Sequence, residues 1–177
     1  MTRALHLTRR FFTSLWPGRP AARDEAWVAG ILGLEELALW SRMANHDRRH
    51  SIAVTRRVEE TLEGSPYAGD PRWLEASLLH DVGKVDAHLG VFGRVGATIA
   101  GAVAGRDKAP AWATRDGITR RVGLYLQHPA LGAVEIRAAG GTEAAARWAA
   151  AHHDPRTWDD TGIPAPVVAA LHDADDD

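Results

Sequence analysis

The sequence predicts an all-α domain of about seven or eight short helices. Three observations predict it. β-Branched residues are scattered, and no segment alternates apolar and polar residues over several positions. Apolar residues recur instead at helical spacing, in segments bounded by Asp, Thr, Pro and Gly. The chain has 177 residues, of which 45% are hydrophobic, which suits one domain with a real core, or one domain plus a short arm.

The elements follow in order. Residues 1–45 read as an N-terminal arm and a leading helix, and residues 46–177 as the functional domain. In the arm, Leu5, Phe11, Phe12, Leu15 and Trp16 interleave with Arg3, Arg9 and Arg10. A short basic amphipathic helix packed on the domain is expected over one that touches a membrane surface. The run TRRFF is similar to a twin-arginine export signal, but TSLWPGRPAARDE follows where an apolar stretch is needed, so a cytoplasmic location is expected. Residues 22–43 read as one helix weakened at Gly30 and Gly33. Residues 46–64 form a second, with Gly64 as its C-cap. Residues 70–83 form a third, with Asp70 as N-cap, Pro71 at the first helical position and Gly83 as its stop. The small, apolar segment 91–105 is expected as a closely packed helix, and 106–117 as a loop. Helices over 129–141, 142–153 and 164–175 follow, with Thr142 as N-cap and a turn-rich loop at 154–164.

Composition narrows the chemistry. A net charge of −2 implies no bulk affinity for nucleic acid. No run reaches the ~18 apolar residues of a membrane span. There are no cysteines, so disulfides and thiolate metal sites are excluded. Any metal must be held by His, Asp or Glu, and nine histidines are available.

The stretch SLLHDVGK, residues 77–84, sets His80 and Asp81 at the end of an apolar helix. Adjacent helical residues point about 100° apart, so both side chains can reach one point beside the helix. His50 continues the stripe Val54, Val58, Leu62 at spacings of four and should look inward. His46, one turn earlier, reads as a capping or surface residue. His128 stands at a helix start before Pro129. His152 shares a side with Trp148 and Ala149, while His153 is turned about 100° away. Asp175 shares a face with Val168 and Leu171, Asp173 points roughly opposite, and Asp176 and Asp177 belong to a solvated tail. Taken singly, each of these is an ordinary helix-end or core residue. Together they place His or Asp on the inward face of four separate helices, a heavy burden if unpaired. A metal site with nitrogen and oxygen ligands relieves all of them at once.

The ordered pattern His50, His80-Asp81, Asp175 resembles the HD-domain superfamily of metal-dependent phosphohydrolases. LLHDVGK is close to that family's central motif, and RRHSIAVTRRV (48–58) is similar to its first-histidine helix. The resemblance covers roughly residues 46–175 and implies an HD-domain-like helical bundle in which His50, His80, Asp81 and Asp175 bind one metal. HPALGAVEI (128–136) and AHHD (151–154) resemble the HP-x-x-G and double-histidine elements of the branch that cleaves cyclic dinucleotides, which implies a second metal on His128 and on His152 or His153. WDDTGIP (158–164) departs from that branch's Gly-Tyr-Pro signature at Asp160 and Ile163, so the chain is not assigned to it.

The expected cofactors are one or two divalent transition metals, Mn, Fe, Co, Ni or Zn. Asp81 could bridge two of them, and a metal-bound hydroxide would be the nucleophile. Lys84 either neutralises a substrate phosphate or satisfies the helix C-terminus. Arg94, Arg120 and Arg121 are looser phosphate-binding candidates. The expected activity is a phosphohydrolase or phosphodiesterase acting on a small phosphoester, a nucleotide or a relative of one. The alternatives are a di-iron oxygenase of the same fold and a non-catalytic regulatory or binding module. Substrate and oligomeric state are not named by the sequence.

Overall fold

The computed structural model describes residues 18–176. The arm helix expected around Phe11 and Trp16, and Asp177, lie outside them. Every regular element among the described residues is helical, in agreement with the predicted all-α class. The described residues form ten α-helices: α1 (Ala22–Ala29), α2 (Leu34–Ser41), α3 (Asn45–Leu62), α4 (Pro71–Leu79), α5 (Val91–Ala104), α6 (Ala109–Ala113), α7 (Gly117–Leu126), α8 (His128–Ala138), α9 (Glu143–Ala151) and α10 (Ala165–Asp176). Short 3-10 turns occupy Val82–Ala87, Arg106–Lys108, Pro155–Thr157 and Asp159–Thr161. Among the described residues no single helix is long and apolar enough to cross a membrane.

The capping expectations hold where a side chain decides them. The Asp70 carboxylate accepts from the Arg72 N–H at 3.0 Å, with Pro71 at the first position of α4. The Thr142 hydroxyl accepts from the Ala145 N–H at 3.2 Å and starts α9. Gly64 takes the left-handed conformation one residue beyond the cap of α3, which is Glu63.

Four expectations need correction. The helix expected over 22–43 breaks into α1 and α2, because Gly33 is extended and gives its N–H to the Glu36 carboxylate at 2.6 Å. That partner is unavailable inside a continuous helix. The helix expected to reach Gly83 stops at Leu79. Gly83 lies so close to α8 that an added Cβ would sit 2.1 Å from the His128 carbonyl oxygen, and the chain tightens into a 3-10 turn to make that approach. The stretch 106–117, expected as a loop, folds into a 3-10 turn and α6, which backs onto Gly123 of α7 where a Cβ would strike the α6 backbone. Finally, α5 is not closely packed. Only Ala97 and Gly101 are buried, while Val95, Ile99 and Val103 are 48%, 58% and 83% exposed.

α4 packs against both α3 and α9, α10 lies on α3, and α8 pairs with α9. Their shared core contains Val54, Val58, Leu78, Leu79, Ile136, Trp148 and Leu171, all essentially inaccessible. Each such side chain stabilises the fold by roughly 1.5–3 kcal/mol relative to exposure. Val28, Leu32, Leu39 and Trp40 of the leading helices join the same core. A buried hydroxyl chain fixes α3 against α4: the Trp40 indole donates to Ser51 Oγ at 2.9 Å, Thr55 Oγ1 donates to the Ser51 carbonyl at 2.7 Å, and Ser77 Oγ lies 2.9 Å from Thr55 Oγ1. This register places His50 of α3 beside His80.

Candidate metal centre

All the sequence-predicted ligands meet in one place. His50 comes from α3, His80 and Asp81 from the end of α4, His128 from the first residue of α8, His152 and His153 from the end of α9, and Asp175 from the last turn of α10. They form two groups, His50–His80–Asp175 and Asp81–His128–His152–His153, and in each the facing nitrogen and oxygen atoms lie within 4.8 Å of one another.

Asp81 stands between the groups. It leaves helical geometry, with φ −106° and ψ 5°, and this turns its carboxylate to the point that His80 also faces. Its Oδ2 is 3.4 Å from His80 Nε2. Its Oδ1 is 3.5 Å from His128 Nε2 and 3.6 Å from His152 Nε2. On the other side, Asp175 Oδ1 is 2.8 Å from His50 Nε2 and 3.7 Å from His80 Nε2. Asp173 is exposed on the opposite face of α10, as the spacing predicts.

The backbone sets the imidazoles. His80 Nδ1 meets the Ser77 carbonyl at 2.8 Å, His128 Nδ1 the Tyr125 carbonyl at 2.6 Å, and His152 Nδ1 the Ala149 carbonyl at 2.8 Å. A carbonyl can only accept, so each Nδ1 carries hydrogen and each neutral ring turns an Nε2 lone pair inward. The Nε2 atoms of His80, His128 and His152, and Asp81 Oδ1, are buried without a hydrogen-bond partner. Four converging orphans of this kind are costly in a native interior, and they are the donor set that a borderline divalent metal takes. The residues fit such an ion.

The electrostatics point the same way. Burial opposes charge on His80, yet Asp81 and Asp175 outweigh it and raise its pKa to about 9, so a metal bound there takes the place of the Nε2 proton. Burial would raise Asp81, but Lys84 and His80 hold it well below the usual carboxylate range. Burial instead prevails at His128 and lowers it to about 4. Asp81 and Asp175 are therefore both held ionised at the middle of the cluster, by Lys84 and His80 at the one and by His80 and His50 at the other.

Lys84 takes a position that neither sequence reading anticipated: its ammonium is 2.5 Å from Asp81 Oδ2. Arg94 is committed to Asp47, through contacts of 2.6 and 2.7 Å. Arg120 and Arg121 are exposed on α7. His46 lies 3.4 Å from Asp47 at the edge of the site. Sequence reasoning missed Asp47, Tyr125 and the hydroxyl chain. For Asp47 and Tyr125 a signal existed, since each stands three residues before a candidate ligand, His50 or His128. Comparison with protein-family models, with curated proteins and with solved structures found no match.

Proposed function

We propose that this chain is a metal-dependent phosphohydrolase or phosphodiesterase of the HD-domain type, acting on a nucleotide or a related small phosphoester. The observation that carries this reading is Asp81, a buried carboxylate whose Oδ2 faces His80 and whose Oδ1 faces His128 and His152. In this reading His50, His80 and Asp175 hold one divalent metal, His128, His152 and His153 hold a second, and Asp81 is shared. A metal bound there lowers the pKa of coordinated water and stabilises charge on phosphoryl oxygens. The chain's own contribution is geometric. The Ser77, Tyr125 and Ala149 carbonyls hold three imidazoles in register, and burial keeps the centre dry enough for its charges to count. Lys84 pairs with Asp81 and holds that carboxylate ionised.

The test is metal analysis of anaerobically purified protein, followed by phosphate release from a panel of nucleotides and conversion of cyclic dinucleotides to their linear forms, with oxygen uptake followed in parallel. Metal-dependent hydrolysis in one of these assays, absent after chelation and in Asp81→Ala, is expected. Oxygen consumption by an iron-loaded protein that hydrolyses neither class of phosphoester would replace this reading with the di-iron oxygenase. Failure of the reconstituted protein to bind any metal would end both.

A further inference from the structure

α5 has a composition that packing does not explain. Its fourteen residues, VFGRVGATIAGAVA, include one charged side chain, Arg94. Its inner face is Ala97 and Gly101, and the missing Cβ of Gly101 leaves room for Leu126 of α7. On the opposite side Val95, Ile99 and Val103 form a stripe at spacings of four, 48%, 58% and 83% exposed. A surface helix ordinarily carries polar residues there. Ile118, at the start of α7, is 63% exposed as well.

Exposed positive charge lies close to these residues in the chain. Arg106 and Lys108 follow Val103 by three and five residues, and Arg115, Arg120 and Arg121 flank Ile118. Residues 91–126 hold six basic residues against two acidic ones, Asp107 and Asp116, although the whole chain has 21 basic and 23 acidic.

We propose that this face docks on an anionic lipid bilayer, with α5 lying in the plane of the interface. The apolar stripe enters the acyl boundary and the flanking cations meet the headgroup phosphates. Charge decides among occupants. Residues 1–17 carry apolar side chains, but also Arg3, Arg9 and Arg10 and no acid, so they would set like charges against the flanks. A second copy packed face to face would do the same. An anionic bilayer neutralises the flanks and accepts the stripe together. At about 21 Å, α5 is too short to span the ~30 Å hydrocarbon layer, so it lies on the membrane and does not cross it. Arg94 ties α5 to α3 through Asp47, so docking holds the bundle and its histidine cluster near the headgroups.

The test is sedimentation of the full-length chain with vesicles of phosphatidylglycerol and phosphatidylcholine, beside vesicles of phosphatidylcholine alone. Binding to the mixed vesicles only, weakening as salt rises, is expected. The double variant Ile99→Asp, Val103→Asp should lower the partition coefficient at least about tenfold. Arg106→Glu with Lys108→Glu should lower it about fivefold or more per charge. Metal content and circular dichroism should match the wild type in both, because the altered side chains are exposed. Absence of binding overturns the proposal. So does binding that survives both variants but disappears when residues 1–17 are removed, or a solution dimer that Val103→Asp splits into monomers.

Discussion

The two halves of the histidine–aspartate cluster meet at Asp81 but are built differently. The half formed by His50, His80 and Asp175 joins residues as far as 125 positions apart, from three helices, and contains a carboxylate of its own. The half formed by His128, His152 and His153 comes from two consecutive helices that pack on each other, and its only acid is the shared Asp81. Their imidazoles respond accordingly. His80, buried between two carboxylates, is raised to about 9, whereas His128 is lowered to about 4 because burial prevails over a single shared carboxylate. Both halves thus draw on Asp81, but the first adds Asp175 and does not need the second half's histidines, whereas the second has no acid besides Asp81.

That contrast can be broken at its shared point. Asp81→Ala removes the only acid of the second half, one of two carboxylates serving the first, and the partner of Lys84. Loss of metal from both halves is expected, with hydrolysis falling at least about a thousandfold and helical content unchanged by circular dichroism. Full metal content in this variant would sink the shared-carboxylate account.

The next largest effect is expected at Gly83. An added Cβ would lie 2.1 Å from the His128 carbonyl oxygen and 2.5 Å from the Gly132 nitrogen, both backbone atoms that cannot swing aside. Gly83→Ala should destabilise the fold by about 3 kcal/mol, read from the denaturation midpoint. By pushing α8 away from Asp81 it should also empty the second half before the first. His128→Ala acts on the second half alone. About half of the bound metal should be lost by elemental analysis, and loss of all of it would mean that the first half cannot stand alone.

The asymmetry was only partly legible in the sequence. His50 was readable because Val54, Val58 and Leu62 repeat its spacing, and all three are buried. Asp175 was separable from Asp173 because Val168 and Leu171 mark the inward face of α10. Periodicity reports such features because they belong to one helix. The end of α4 at Leu79 was not readable. It depends on Gly83 meeting α8 some 45 residues later in the chain, and that turn is what gives Asp81 its central position. Lys84 pairing with Asp81 was hidden for the same reason. The exposed stripe of α5 was misjudged because small apolar residues look alike in sequence whether or not a neighbour covers both faces.

The smallest predicted effect concerns the link between the two halves. Glu75 lies on α4, which delivers His80 and Asp81, and its carboxylate accepts from the Thr142 N–H at 2.6 Å, at the start of α9, which delivers His152. Burial, and then the neighbouring Glu36 carboxyl, raise Glu75 from 4.5 to about 7. A carboxyl raised in the folded state binds its proton more tightly there than in the unfolded chain. Its contribution is therefore complete below about pH 4.5 and is lost as pH rises through about 7. Glu75→Gln keeps an acceptor for Thr142 and a donor for Glu36, but cannot ionise. Between pH 5 and 8 the wild type should lose on the order of 1 kcal/mol relative to this variant in urea denaturation. The ligand titrations are common to both proteins and cancel in the difference. Parallel pH profiles would mean that Glu75 stays ionised and that the strap between α4 and α9 is an ordinary charged hydrogen bond. Diverging profiles would show that the two halves are held together by a carboxyl that must stay neutral, and that this hold weakens as pH rises through 7.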